Sequence, residues 1–253
     1  MTQETSVLRI DDTKVPGAVT IRFNRPEVKN ALTPAHMLLV ARHLFDCQHD
    51  PAVKVVFLTG SGDAFCAGAD LKALNAEARE RRAQSLDAAT ELMTRIVSTP
   101  KIVVAAVNGV SAGLGNHIAL CSDLCIAVRD ANFHFTGAVK GIPSMQYGGL
   151  LLPMVVGLKR AKELLLRGGK VTAERAEHLG ICNSVVAPEH WASEVAALAS
   201  DLSKRDPATM AHNKFQANQM AFQLYGALKL SALAGGAHMA AAESFAPGRV
   251  ERD

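Results

Sequence analysis

No stretch of this chain reaches the roughly 20 consecutive apolar residues of a membrane-spanning helix, so no bilayer-embedded helix is expected. The first residues, MTQETSVLRIDD, have neither the basic start nor the apolar region of a secretory signal, and the expectation is a cytoplasmic protein. Charge of one sign is also scarce. The 27 Lys and Arg against 24 Asp and Glu leave a formal +3, far from the dense basic stripe of a nucleic-acid binder but suited to a small anionic ligand. Five cysteines (Cys47, Cys66, Cys121, Cys125, Cys182) are an odd number without the spacing of a secreted disulfide framework. Cys121 and Cys125 have no CxxC pair or nearby His to complete a zinc set, so neither a metal nor a separate cofactor is expected. GxxxxGK[ST] and GxGxxG are both absent, which removes support for a nucleotide cradle. No repeat and no low-complexity linker divides the chain.

What is present is ordinary globular material: 49% hydrophobic and 20% charged residues over 253 positions, enough to bury one substantial core. The expected organisation is a core over residues 1–190 and a helical region over 191–253 that serves in oligomerisation or as a lid. AVTIRFNRP predicts a strand, and TPAHMLLVARHLFDC a helix capped by Thr33 with Pro34 at its first position. Met37, Val40, Ala41, Leu44 and Phe45 fall on one core-facing stripe. VKVVFLTG and KIVVAAVNG predict buried strands, each running into a glycine loop, with a charged helical region between them. DLCIAV, NFHF and CNSVVAP predict further short strands, and YGGLLLPMVVG, LKRAKELLLRGG and TAERAEHLGI short helices. From Trp191 the pattern is helical, with Asp206-Pro207 opening a last long helix whose apolarity suggests packing on another subunit. The alternation implies an α/β layered fold.

The two glycine loops, CAGAD and SAGLG, allow two readings. A helix start leaves backbone N–H groups unpaired, its dipole favours negative charge, and glycine lets a ligand atom approach without a Cβ in the way. Two such loops can aim one N–H each at a single oxygen that becomes negative during a reaction. Alternatively, the glycines serve only tight turns and helix packing. Asp123 and Asp130 are expected to cap strands or helices, and His134 either lines the cavity or lies on the surface at a strand end.

NRPEVKNAL, VVFLTGSGDAFCAGADL, KIVVAAVNGVSAGLG, ALCSDLCIAVRDANF and AKELLLRGGKVTAERAEHLGICNSVV, in this order from about Val19 to Pro188, resemble the enoyl-CoA hydratase/isomerase, or crotonase, superfamily. The resemblance implies a crotonase-like α/β fold, a spiral of ββα turns with a C-terminal helical region, assembled as a homotrimer or a dimer of trimers. It implies an acyl-CoA thioester as ligand, with coenzyme A as part of the substrate, and an enolate held by two backbone N–H donors that match Ala69 and Leu114. Leu114 replaces the family's commonest glycine, so its side chain must point away or narrow the pocket. Lys29, Ala31, Ala67, Asp70, Leu71 and Lys72 match ligand neighbours, the lysines suiting phosphate, and Gly113 belongs to the second donor loop. Asp70 is expected to hold its loop through backbone hydrogen bonds.

The departures lie in the acid/base residues. Hydratases of the family use two glutamates; the matching positions here are His117 and Gly137. The next loop, where other members place an acid, offers Ser144, Met145 and Gln146, none of which ionises usefully near neutral pH. His117, with an ordinary pKa near 6.5, is the candidate acid or base, and Tyr147 a candidate cavity residue. Thr136-Gly137 with the later YGG resembles dihydroxynaphthoyl-CoA synthases, in some of which bound bicarbonate serves as base. The expected function is therefore an acyl-CoA enzyme of this family with an atypical site, for which simple hydration is not the natural reaction. The alternatives are a non-catalytic acyl-CoA carrier or sensor, and a C–C bond hydrolase or ring-forming member.

Overall fold

Runs of Val, Ile and Ala become strands that are buried on both faces, as parallel sheets require. The computed structural model describes residues 6–11, 14–70, 79–140, 144 and 146–235. In chain order the strands are β1 (Val7–Asp11), β2 (Ala18–Phe23), β3 (Val55–Gly60), β4 (Ala64–Cys66), β5 (Ile102–Val107), β6 (Val110–Ala112), β7 (Leu124–Val128), β8 (Asn132–Phe135), β9 (Gly169–Thr172) and β10 (Ser184–Val186). The helices are α1 (Pro34–His49), α2 (Arg79–Ser98), α3 (Leu114–Cys121), α4 (Gln146–Val156), α5 (Leu158–Arg167), α6 (Ala173–Leu179), α7 (Trp191–Ser203) and α8 (Pro207–Gly235).

Two sheets result: a large one in the order β1-β2-β3-β5-β7-β10 and a small one in the order β4-β6-β8-β9. All pairings in the large sheet are parallel except β1 with β2. Each circuit of the chain adds one strand to the large sheet, a short one to the small sheet, and then helix: β3-β4-α2, then β5-β6-α3, then β7-β8 and the α4–α6 region. This is the expected spiral of ββα turns. Alternation along the strands divides the core. Val56, Leu58, Val103 and Ala105 join the main cluster with the buried faces of α1 and α2, while Val55, Phe57, Ile102 and Val104 face Ala199, Val195 and Leu198 of α7.

The caps form as the sequence predicts. Thr33 Oγ1 accepts from the His36 N–H, with Pro34 opening α1, and Asp206 Oδ2 accepts from the Thr209 N–H at 2.7 Å at the start of α8. Phe45 differs from expectation. It is 41% exposed because it sits at the flank of the α1 stripe, where its ring lies 4.3 Å from His49 and under Arg95. The helix α8 is tied to the core through Lys214, whose Nζ donates to Asp123 Oδ2 at 2.8 Å and to the carbonyls of Ile96 and Lys101. Asp123 also accepts from the Val103 N–H, so it anchors β5 and α8 together, as its expected capping role only partly anticipates. Burial pushes the Lys214 ammonium down and the Asp123 carboxyl up from their ordinary values, each opposed by the other's charge. Among the described residues no helix is long and apolar enough to cross a membrane.

Candidate active site

The first loop pair is built around Asn30. After β2 a short turn, Pro26–Val28, ends with Lys29 and Asn30 in the left-handed region at φ 51° and 58°. Asn tolerates that conformation better than most residues because its short amide bonds locally. Fully buried, Asn30 accepts from the Arg25 N–H at 2.9 Å and donates to the carbonyls of Ser61 and Ala64 at 2.9 and 2.7 Å. The chain then runs beside the CAGAD loop. The Ala67 N–H donates to Lys29 O, the Leu32 N–H to Gly68 O and the Asp70 N–H to Leu32 O, each at 2.9 Å. Lys29, Ala31, Ala67, Ala69 and Asp70 are thus brought to one place, with Lys29 exposed. Asp70 bonds to the neighbouring loop through its N–H, and its carboxylate adds a pair with Arg25 at 3.1 Å, whose guanidinium also donates to Ala31 O at 2.6 Å. Leu71 and Lys72 lie outside the described residues, as do the side chain of Tyr147 and all of Met145.

The second loop abuts the first. Gly113, at φ 51°, precedes α3, and Leu114 is its first residue. A Cβ on Gly68 (φ +107°) would lie 2.9 Å from Ala112 O and 3.4 Å from Leu114 N, and one on Gly115 would run into the Cys66 carbonyl. Glycine therefore lets the two loops meet backbone to backbone, which is the tight-packing role of these residues. The Leu114 side chain is buried in the main core, which leaves its amide as its contribution to the loop. Leu114, as a first helical residue, has no intrahelical acceptor. Among the described residues neither its N–H nor that of Ala69 has a backbone hydrogen-bond partner. Two such amides at a helix start suit a developing negative charge.

His117 sits in the first turn of α3, its N–H donating to Gly113 O at 3.2 Å. The ring lies on Gly148 of α4, where any Cβ would run into it. Its Nε2 is 3.1 Å from the hydroxyl of Ser144, a partner that the sequence reading set aside because serine does not ionise. Burial pulls the imidazole down to about 4. The resting ring is therefore neutral near pH 7 and begins as a proton acceptor, its pKa lying below that of the ordinary histidine expected from sequence.

Gly137 opens the turn after β8 and accepts from the Lys140 N–H at 3.1 Å; it brings no carboxylate. His134 stands opposite Lys170 in the small sheet, and its carbonyl accepts from the buried Asn116 side chain. Partial burial and then the charges of Lys170, Lys29 and Lys140 lower its pKa, so Lys29 and His134 belong to one electropositive margin. Asp130 lies in the exposed β7–β8 turn, where its carbonyl accepts from Asn132 Nδ2. Among the described residues no group of three or more His, Cys, Asp or Glu is placed to hold a metal.

Comparison with known proteins gives a consistent result. A family model described as enoyl-CoA hydratase/isomerase matches residues 14–239. The chain is 35% identical to the 1,2-epoxyphenylacetyl-CoA isomerase of Escherichia coli K12 over 74% of this chain and 73% of that one. It is 34% identical to the crotonyl-CoA hydratase of Syntrophomonas wolfei over 78% and 76%. An enoyl-CoA hydratase structure from Mycobacterium smegmatis superimposes with a TM-score of 0.78 at 30% identity, covering 93% of this chain and 97% of the other. Sequence match, spiral fold and the meeting of two glycine loops agree, and the chain belongs to the enoyl-CoA hydratase/isomerase family.

Proposed function

We propose that this protein transforms an acyl-CoA thioester by stabilising negative charge on the thioester oxygen with the Ala69 and Leu114 amides. The observation that supports this reading is the backbone contact between Gly68 and the Gly113–Leu114 turn, together with two neighbouring amides that have no backbone acceptor among the described residues. Removing an α-proton, or adding a nucleophile at the β-carbon, moves charge onto that oxygen, and one such donor is worth roughly 10²–10³ in rate. Lys29 at the loop margin suits the phosphates of coenzyme A, and Ala31, Ala67 and Asp70 border the same path.

The acid/base side is atypical. With His117 and Gly137 at the carboxylate positions, water has no pair of glutamates to activate it, so hydration is not the favoured reaction. The named relatives include both an isomerase and a hydratase, which supports the substrate class more than the reaction. A His117 ring that rests neutral near pH 7 can take a proton from an activated carbon or hydroxyl and, once it holds that proton, pass it on to a leaving group. The missing carboxylates also favour a second reading, an acyl-CoA carrier or sensor that keeps the pocket without chemistry. A C–C bond hydrolase or ring-forming enzyme is the alternative that retains it. We further propose a homotrimer or dimer of trimers, which the exposed Leu158, Leu166, Phe215 and Met220 support, and a cytoplasmic location, which the free buried cysteines support.

The test is a panel of saturated, enoyl, aryl and β-keto acyl-CoA thioesters incubated with the protein in heavy water and analysed by mass spectrometry. Gain of deuterium, water or a cleavage product above the enzyme-free control is expected. Co-elution of a thioester that stays unchanged would replace the enzyme with the carrier.

A further inference from the structure

We infer that Ser144 and His117 form a nucleophile–base pair that hydrolyses the thioester bond of an acyl-CoA through an ester on Ser144. This rests on the oxyanion reading above, because the amides that would hold an enolate oxygen would equally hold the oxygen of a tetrahedral intermediate.

Four features of the molecule support the pair. The Ser144 hydroxyl lies 3.1 Å from His117 Nε2, the reach required for proton transfer from nucleophile to base. In the tautomer with hydrogen on Nδ1, Nε2 is the acceptor and the hydroxyl donates to it. The ring is held in place by its contact with Gly148, where even a Cβ would run into it. His117 is in the same first turn of α3 as Leu114, so base and oxyanion donor belong to one element. Ser144 itself is exposed, open to a substrate arriving from solvent. A hydroxyl beside a neutral imidazole is suited to attacking a carbonyl, which gives the departure from the family's glutamates a chemical purpose.

The steps balance as an ordinary acyl transfer. Ser144 Oγ attacks the thioester carbon while its proton passes to His117 Nε2. The C–S bond breaks and the departing sulfur takes that proton, leaving free coenzyme A and an acyl ester on Ser144. Water then gives a proton to His117 as its oxygen attacks the ester. The Oγ–carbon bond breaks, Ser144 recovers the proton, and a carboxylic acid leaves. No oxidant, reductant or metal takes part.

The experiment incubates the wild-type protein, Ser144→Ala and Ser144→Cys with acetyl-, octanoyl- and benzoyl-CoA. Free coenzyme A is measured by chromatography and acyl adducts by intact mass and peptide mapping after acid quench. We expect coenzyme A release by the wild type, a fall of at least about a hundredfold in Ser144→Ala, and an acyl adduct on position 144 in Ser144→Cys. Position 144 is exposed, so unchanged melting of the variants would exclude misfolding as the cause. Equal release by wild type and Ser144→Ala overturns the pair. So does α-proton exchange of acetyl- or octanoyl-CoA in heavy water with no coenzyme A released from any of the three thioesters, an outcome that leaves the enolate reading standing. Absence of binding, exchange and release together overturns both.

Discussion

The loops around Asn30 and the pocket side around His117 are built in opposite ways. On the Asn30 side, three side-chain hydrogen bonds, three backbone bonds and the Arg25–Asp70 pair act on the same few residues, so the two loops are tied together at several points. On the His117 side, one ring rests on one glycine and reaches one hydroxyl. The difference teaches where substitution is tolerated. A loop whose backbone N–H groups are its working parts cannot shift by a fraction of an ångström without losing its geometry, whereas a side-chain base can be exchanged for another group while the scaffold stays. That contrast is what the proposed function requires, in which the glycine loops are kept and the acid/base group is exchanged.

The largest effect is expected where the redundant side is broken at its centre. Asn30→Ala takes the side-chain donor from the half-buried Ser61 carbonyl and the acceptor from the Arg25 N–H, leaves Asn108 as the remaining side-chain donor to the Ala64 carbonyl, and puts a residue without local bonding at φ 58°, which together cost about 3 kcal/mol. Denaturant unfolding measures this, and affinity for coenzyme A should fall with it. Asn30→Gly sharpens the comparison, because glycine accepts the left-handed conformation and isolates the hydrogen bonds; about 1 kcal/mol of the loss should return. A loss below about 1 kcal/mol in both variants would mean that the loops do not depend on Asn30.

Gly148→Ala attacks the other side and should behave in the reverse way. The methyl displaces the His117 ring, so turnover of any accepted acyl-CoA should drop about a hundredfold, as for loss of a general base. Binding should change little and the melting temperature modestly. Loss of binding in parallel with rate would show that the two sides are not separable.

Much of the scaffold was legible in the letters because its signals are local. The apolar run of β5 announces a doubly buried strand, and Thr33-Pro34 and Asp206-Pro207 announce helix starts. Strands β1, β4, β6 and β9 are not foreseen: β1 is defined by its antiparallel pairing with β2, while the three or four residues of the others carry too little periodicity and gain their partners only from the other circuits of the spiral. Phe45 repeats in step with the core stripe but ends at its flank, because a helix face is wider than the surface it is packed against. At the site, the matched positions Lys29, Ala31, Ala67, Ala69, Asp70, Gly113 and Leu114 do converge. The roles of Arg25 and Asn30 stayed hidden inside quoted motifs, because what they bind lies on other loops. The partner of His117 is 27 residues away, and only the packing of α4 on α3 makes them neighbours. Its lowered pKa has the same origin, since burial is a property of the fold and not of the residue.

That burial supplies the smallest and most direct test of the comparison. His117 has a folded pKa of about 4 against an ordinary 6.5, so between those values the unfolded chain binds a proton that the folded chain does not. Stability contributed by the neutral ring is present above about pH 6.5 and is lost as pH falls toward 4, below which both states are protonated and the dependence levels off. Burial also lowers His36 and His43, so the wild type should lose stability through this window from several rings at once. His117→Gln removes one share and leaves the others, and its unfolding midpoint should decline less steeply between pH 6.5 and 4. Denaturant titrations at pH 7, 6, 5 and 4 on both proteins measure the difference. Parallel curves would mean that the His117 ring is solvated in solution, and that its contact with Gly148 does not hold it even as firmly as the single hydrogen bond to Ser144 implies.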